Sequence, residues 1–319
     1  MYYIGVDLGG TNIAAGIVDE NYKIIAKGSV PTEAQRDGKE IIKDMGALCD
    51  KLVKDAGLTF DDIAYVGIAS PGAIDPVKGM VVYANNLPFE MFPIADILKS
   101  YIPVKQVLVE NDANAAAKGE AVAGAAKGVA DAVMITLGTG VGGGIIIDHK
   151  VYSGFNYAGA ELGHIVIEHK GRQCSCGRKG CWEAYSSATG LINMTKEKLA
   201  ECKEKGIPTL MEKMVAEEGK VSGKTAFAAM KQGDAPAKEV VDMYISYLGC
   251  GLSNIINIFQ PEVLVIGGGI CYERNYLTDP LEAIIKEETY GNENIKPTAL
   301  KIAELGNDAG IIGAAVLGL

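Results

Sequence analysis

One local pattern occurs twice in this chain and constrains its architecture more than any other feature. An apolar strand at residues 3–8 enters the turn Gly9-Gly10-Thr11-Asn12, and a second strand leaves it at 13–18. Near residue 140 the theme returns as strand 132–137, the turn Gly138-Thr139-Gly140-Val141-Gly142-Gly143-Gly144, and strand 145–148. Apolar runs bounded by glycine-rich turns read as paired strands. The first half continues with strand 23–30, then an amphipathic helix at 38–56 that sets Ile41, Met45, Leu48 and Leu52 on one face. Strands follow at 64–69 and 106–109, and an Ala-rich helix at 113–126. The second half continues with helix 237–259, strand 263–267, a helix near 281–288, strand 298–303 and helix 308–317. A charged segment, 195–233, reads as helical and peripheral. The repeated order predicts a duplication, with two similar α/β lobes facing a cleft.

Length and composition permit this. A chain of 319 residues suffices for two domains, and 48% hydrophobic with 22% charged residues is ordinary for a globular protein. Disorder, collagen and coiled coil are excluded on the same grounds. The net charge of −10 speaks against a polyanion-binding surface, so no nucleic-acid partner is expected. No apolar stretch has the length to span a bilayer, and the N-terminus lacks a signal core. The expected location is therefore the cytoplasm, with reduced cysteines and no membrane partner. Cys49, Cys202, Cys250 and Cys271 are scattered and read as small core residues.

Two apparent nucleotide motifs fail on context. Gly138, Gly140 and Gly143 satisfy G-x-G-x-x-G, but a dinucleotide site needs a helix next, and Ile145-Ile146-Ile147 favours a strand. Gly223-Lys224-Thr225 resembles the end of a P-loop, yet position 218 is Glu and the preceding segment is a charged helix. It reads as a loop. A third cluster is different. His164 is followed, after nine residues, by Cys174-Ser175-Cys176-Gly177-Arg178-Lys179-Gly180-Cys181. His164, Cys174, Cys176 and Cys181 make a four-ligand set suited to tetrahedral zinc, with no open position for a metal-bound water. The metal is expected to be structural, and the spacing is not that of a DNA-reading finger.

Taken together, these segments resemble the signature of the ROK (repressor, open reading frame, kinase) family of sugar kinases. The resemblance rests on Gly163-His164 with Cys174-x-Cys176-Gly177-x-x-Gly180-Cys181-x-Glu183, on Asp7-Leu8-Gly9-Gly10-Thr11-Asn12, and on Glu110-Asn111-Asp112-Ala113-Asn114-Ala115. It extends to Leu137–Gly144 and to the closing helix from Asn307, and Cys181-Trp182-Glu183-Ala184-Tyr185 leans toward the glucokinase branch. It implies an α/β, actin-like (ribonuclease-H-like) duplicated two-lobe fold with an interlobe cleft. The N-terminal lobe is expected at 1–112 plus 302–319, and the C-terminal lobe, carrying the zinc loop, at 113–301.

The resemblance also implies an activity: ATP-dependent phosphorylation of a hexose, glucose before others, at its 6-hydroxyl. Asp112 is then the general base, although an Asp at a strand-to-helix junction also fits a helix cap. Gly72, Asn111, Asp112, Glu161, His164 and Glu183 contact the sugar. Gly9, Gly10 and Thr11 hold phosphates, as do Gly138, Thr139 and Gly140, because small residues let backbone N–H groups approach the oxygens. Asp7 positions Mg²⁺, and Gly267-Gly268-Gly269 admits the adenosine. His164 serves twice, with one ring nitrogen on zinc and the other toward a sugar hydroxyl. The implied cofactors are ATP with Mg²⁺ and structural Zn²⁺, and the implied assembly is a homo-oligomer, dimer or tetramer. The alternatives are a kinase for N-acetylglucosamine, N-acetylmannosamine, fructose or allose, and a non-catalytic sugar-responsive regulator. The regulator usually carries a helix-turn-helix before the first phosphate motif, and Asp7 leaves no room for one here.

Overall fold

The computed structural model describes residues 1–291 and 294–319. Strands β1 (Tyr2–Leu8), β2 (Asn12–Val18), β3 (Ile24–Pro31), β4 (Ile63–Ser70), β5 (Ala73–Asp75), β6 (Met80–Tyr83), β7 (Glu90–Phe92) and β8 (Val107–Asn111) fall in the first half. Strands β9 (Ala132–Leu137), β10 (Val141–Ile147), β11 (Lys150–Val151), β12 (Val263–Gly267) and β13 (Ala299–Ile302) complete the set. One five-stranded sheet has the order β3-β2-β1-β4-β8, and the other β11-β10-β9-β12-β13. Counted within each sheet, both orders are third, second, first, fourth, fifth. The duplication expected from the two glycine turns is therefore a duplication of topology. No described helix is long and apolar enough to cross a membrane.

The chain divides into two compact units. The first comprises Met1–Met134, Gly143–Ala160 and Ala303–Leu319, and the second Ile135–Gly142 and Glu161–Ile302. In the first unit, β1 pairs antiparallel with β2 and parallel with β4, and β4 pairs parallel with β8. Helix Ala309–Ala315 lies directly on this sheet. A Cβ on Gly5 would sit 1.8 Å from the Ile311 carbonyl oxygen, and one on Gly67 would sit 1.8 Å from that of Ala314. Only glycine allows this backbone approach. The same helix meets helix Asp112–Ala123, where a Cβ on Gly313 would sit 1.8 Å from the Ala115 carbonyl oxygen. This packing keeps the Asp112 helix in the first unit, whose first segment runs to Met134.

Several segments depart from the sequence reading. Residues 73–92 form a small three-stranded sheet, β5-β6-β7, which was not expected. Strand β10 begins at Val141 and takes Gly142, Gly143 and Gly144 into the ladder instead of leaving them in a turn. Segment 195–233 is helical as expected; most of it is solvent-facing, while Thr195, Cys202, Met211, Ala226 and Phe227 are buried. Of the scattered cysteines, Cys49, Cys202 and Cys271 are buried, whereas Cys250 is only half-buried. Gly223 is in a loop, as read.

Candidate active site

Parallel strands place their carboxyl ends along one edge, which is where open α/β sheets bind ligands. In the first unit that edge gathers Asp7 on β1, the turn after β4, and the end of β8. The register aligns Asp7 with Ala69, Ala69 with Glu110, and Ser70 with Asn111. Gly72 follows with φ of 103°, and a Cβ there would meet the Tyr83 carbonyl oxygen at 2.2 Å, so no other residue fits. Asn111 Nδ2 donates to the Gly72 carbonyl (3.1 Å). Asn111 Oδ1 accepts the N–H groups of Ala113 (2.9 Å) and Asn114 (3.2 Å). Asn111 is therefore the helix cap. Asp112 becomes the first helical residue, and its Oδ1 takes the Ala113 N–H at 2.8 Å. The capping role that the sequence allowed for Asp112 belongs to its neighbour.

The electrostatics of this edge are unusual. Burial, and next the Asp112 charge, push the Asp7 carboxyl up to about 6. Asp112 is exposed at its surface yet recessed among surrounding chain, and desolvation raises it too, against the lowering pull of the Ala113 N–H. Among the described residues, no basic side chain offsets either shift. Two neighbouring acids without a cation are the donor chemistry that a hard divalent ion requires. The first glycine hairpin starts beside them. Gly9 N–H donates to the Asn12 carbonyl (2.9 Å), and Gly10 and Thr11 are exposed at its tip.

In the second unit, the turn after β9 is closed by Gly138 N–H donating to the Gly140 carbonyl (3.0 Å). Gly267 ends β12, and Gly268, with φ of 108°, lies so close to β9 that a Cβ would be 2.1 Å from the Leu137 carbonyl oxygen. The structure thus brings Gly268 against Leu137, the residue that precedes the Gly138-Thr139-Gly140 turn. Glu161 is exposed and precedes the short turn Leu162–His164, its backbone carbonyl accepting the His164 N–H (3.0 Å). Glu183 opens helix Glu183–Ser186, two residues after Cys181, the last cysteine of the knuckle.

The cysteine cluster assembles as expected. Ligand atoms of His164, Cys174, Cys176 and Cys181 all lie within 4.8 Å of one another. The Cys176 and Cys181 sulfurs are 3.7 Å apart, and Cys174 Sγ is 3.7 Å from His164 Nδ1. Thiolates about 2.3 Å from zinc at tetrahedral angles lie roughly 3.8 Å apart, so the donor set fits that ion. Burial pushes the Cys181 thiol up to about 12, a cost that a bound cation removes. The knuckle is anchored from behind. Trp182 is fully buried and donates from Nε1 to the Tyr247 carbonyl (3.0 Å), while Tyr185 Oη accepts the Arg172 N–H (2.6 Å).

Sequence reasoning missed the residues that hold the two glycine hairpins from behind. Thr32, fully buried, donates its hydroxyl to the Gly9 carbonyl (2.7 Å) and its N–H to the Thr11 carbonyl (2.8 Å). Thr189 Oγ1 donates to the Thr139 carbonyl (2.7 Å), and Ala188 N–H to that of Gly138 (2.9 Å). Thr32→Val keeps the volume and the N–H but not the hydroxyl. It is expected to lower the unfolding free energy by about 1–2 kcal/mol, read from urea unfolding. An unchanged midpoint would show that the Gly9 carbonyl does not depend on it.

Comparison with known proteins gives a consistent picture. A model of the ROK family matches residues 3–319. A glucokinase of Halalkalibacterium halodurans is 36% identical, over 98% of this chain and 93% of its own. A glucokinase of Thermotoga maritima is 37% identical, over 98% of this chain and 95% of its own. Among solved structures, a ROK family glucokinase from Streptomyces griseus in complex with glucose and AMPPNP superposes with a TM-score of 0.80. It is 34% identical and covers 99% of both chains.

Proposed function

The chain belongs to the ROK family, and on that premise we propose that it is a hexose kinase that transfers the γ-phosphoryl group of ATP to the 6-hydroxyl of glucose. The family fold is the actin-like two-domain α/β fold, and the twin five-stranded sheets are its two copies. The observation that carries the reading is the freeing of Asp112. With Asn111 as the cap, the carboxylate at the end of β8 keeps acceptor capacity for a hydroxyl proton. The glucokinase relatives, and the glucose and AMPPNP in the Streptomyces griseus complex, support the choice of sugar and donor.

Phosphoryl transfer asks a protein for alignment and charge neutralisation more than for covalent chemistry. In this reading Asp112 accepts the proton of the 6-hydroxyl as the phosphoryl group arrives. The hairpins at Gly9, Gly10 and Thr11 and at Gly138, Thr139 and Gly140 hold the phosphates. The Gly9 and Gly138 N–H groups close the hairpins, so the N–H groups of Gly10, Thr11, Thr139 and Gly140 would face the oxygens, and Gly267-Gly268-Gly269 admits the adenosine. Gly72, Asn111, Glu161, His164 and Glu183 hold the sugar hydroxyls. Mg²⁺ bound with the nucleotide neutralises phosphate charge, and Asp7 is the residue that would hold it. Zn²⁺ fits His164, Cys174, Cys176 and Cys181 and would fix the loop. With Nδ1 turned toward the sulfurs, His164 is left to donate from Nε2. A homo-oligomer, dimer or tetramer, in the cytoplasm belongs to the same reading and rests on family membership.

A coupled ADP-release assay with ATP and a panel of hexoses and N-acetylhexosamines tests this. Glucose is expected to give the highest kcat/KM, and no sugar-dependent ADP release with any member would overturn the reading. The acidic edge also sets a pH dependence. Activity needs Asp7 and Asp112 ionised, so kcat/KM is expected to fall as pH drops through about 6. Stability runs the other way. The folded pKa of Asp7 lies above its unfolded value, so its contribution is complete at low pH and is lost as pH rises through about 6. Asp7→Asn is therefore expected to raise the Tm at pH 7.5 while weakening nucleotide binding. A lower Tm in that variant would contradict the assignment.

A further inference from the structure

Within the second unit, one carboxylate grips the nucleotide hairpin as well as facing the sugar loop. Glu183 Oε2 accepts the N–H of Val141 (3.1 Å), the residue that follows Gly138-Thr139-Gly140. Glu183 Oε1 accepts the hydroxyl of Ser175 in the zinc knuckle (3.1 Å). Gly140 packs against the same group, since a Cβ there would lie 2.3 Å from Oε2. On the carbonyl side of Val141, a Cβ on Gly163 would lie 2.2 Å from the Val141 oxygen. The Val141 residue is thus held at its N–H by Glu183 and crowded at its carbonyl by the backbone between Glu161 and His164. The rest of the hairpin is fixed by the residues just after Glu183, through Ala188 N–H on Gly138 and Thr189 Oγ1 on Thr139.

We propose that Glu183 is a positioning residue for the nucleotide hairpin, in addition to its contact with the sugar, so that sugar and nucleotide binding are coupled through this one carboxylate. The proposal rests on the kinase reading and deepens it. A Val141 N–H aimed at the carboxylate orients the turn whose Thr139 and Gly140 N–H groups would face phosphate, and a hairpin that loses this partner must be ordered by the nucleotide itself. A sugar hydroxyl that donates to Glu183 shares the acceptor with Val141. The state of the sugar site is then felt at the hairpin within the same unit, and by linkage the hairpin is felt at the sugar site to the same degree. A hydrogen bond to a charged acceptor carries about a tenfold effect or more on an equilibrium.

The test measures binary binding with the full chain, AMPPNP·Mg²⁺ without sugar and glucose without nucleotide, using the buried Trp182 beside Glu183 as the fluorophore. Glu183→Ala is expected to weaken AMPPNP alone by about tenfold. Glu183→Gln, whose amide oxygen still accepts the Val141 N–H, is expected to restore most of that loss while glucose affinity stays reduced. Gly140→Ala, which puts a Cβ against the carboxylate, is expected to weaken glucose measured without nucleotide. Thermal melts identify any variant that fails to fold, and the remaining variants then decide. Wild-type AMPPNP affinity in Glu183→Ala, or wild-type glucose affinity in Gly140→Ala, would overturn the proposal while leaving the kinase reading intact. A wild-type chain that phosphorylates no hexose would remove both.

Discussion

Asp112→Asn is expected to fold, to bind glucose and nucleotide, and to turn over roughly 10²–10⁴-fold more slowly, the range of a general base. The expectation is specific because the structure separates two roles that usually coincide at such a position. The helix Asp112–Ala123 is capped by Asn111, whose oxygen takes the Ala113 and Asn114 N–H groups. The Asp112 oxygen that accepts the Ala113 N–H has a counterpart in the asparagine amide. The substitution therefore spares the helix and removes only the proton acceptor. It also removes one member of an acidic pair in which the Asp112 charge helps to raise Asp7, so the Tm at neutral pH is expected to hold or rise. Steady-state kinetics beside a thermal melt separate the outcomes. A near-normal kcat would remove Asp112 from the chemistry, and a collapsed Tm would make its role structural.

Loss of the knuckle metal is the second large effect. The protein as purified is expected to carry about one zinc per chain, and Cys176→Ala to lose it. Cys176 is the exposed ligand, so its truncation leaves no void, unlike Cys181, which is fully buried. The surrounding fold has its own supports in the buried Trp182 and in Tyr185, whose oxygen holds the Arg172 N–H. The second unit should therefore persist while residues 164–181 loosen. Without the ion nothing fixes His164 Nδ1, and the donor direction at Nε2 is lost. Groups that orient a ligand in this way typically carry 10–100-fold effects. The KM for glucose is expected to rise on that scale while kcat falls less. A metal-free preparation with unaltered glucose KM would defeat the claim.

What could be read in the sequence followed from how locally each signal is encoded. The apolar runs ending at Leu8, Leu137 and Gly267 announce themselves by composition, and the turns after them by glycine. The four metal ligands are legible because His164 and the three cysteines are rare residue types at close spacing. The misreadings have equally physical causes. β5 and β7 are only three residues long, too short for any alternation to register. Gly142–Gly144 hide the start of β10, because glycine has low strand propensity and is carried there by its neighbours in the sheet. Met211 and Phe227 sit in short apolar stretches, Leu210-Met211 and Ala226–Met230, between charged segments, and only tertiary packing reveals which of those residues are buried. Asn111 and Asp112 are both good caps, and chain geometry alone decides between them. Thr32 and Thr189 brace the hairpins from more than twenty residues away in sequence in one case and fifty in the other, and nothing local marks them.

The claim on which the rest depends is that a phosphoryl group moves to the primary hydroxyl of a hexose. Phosphorus-31 and proton NMR of the purified protein incubated with ATP, Mg²⁺ and glucose tests it most directly. The account predicts stoichiometric ADP and a single sugar ester whose phosphorus couples to the two protons on carbon 6. An ester at another carbon, or ATP consumed with no sugar phosphate formed, would contradict it.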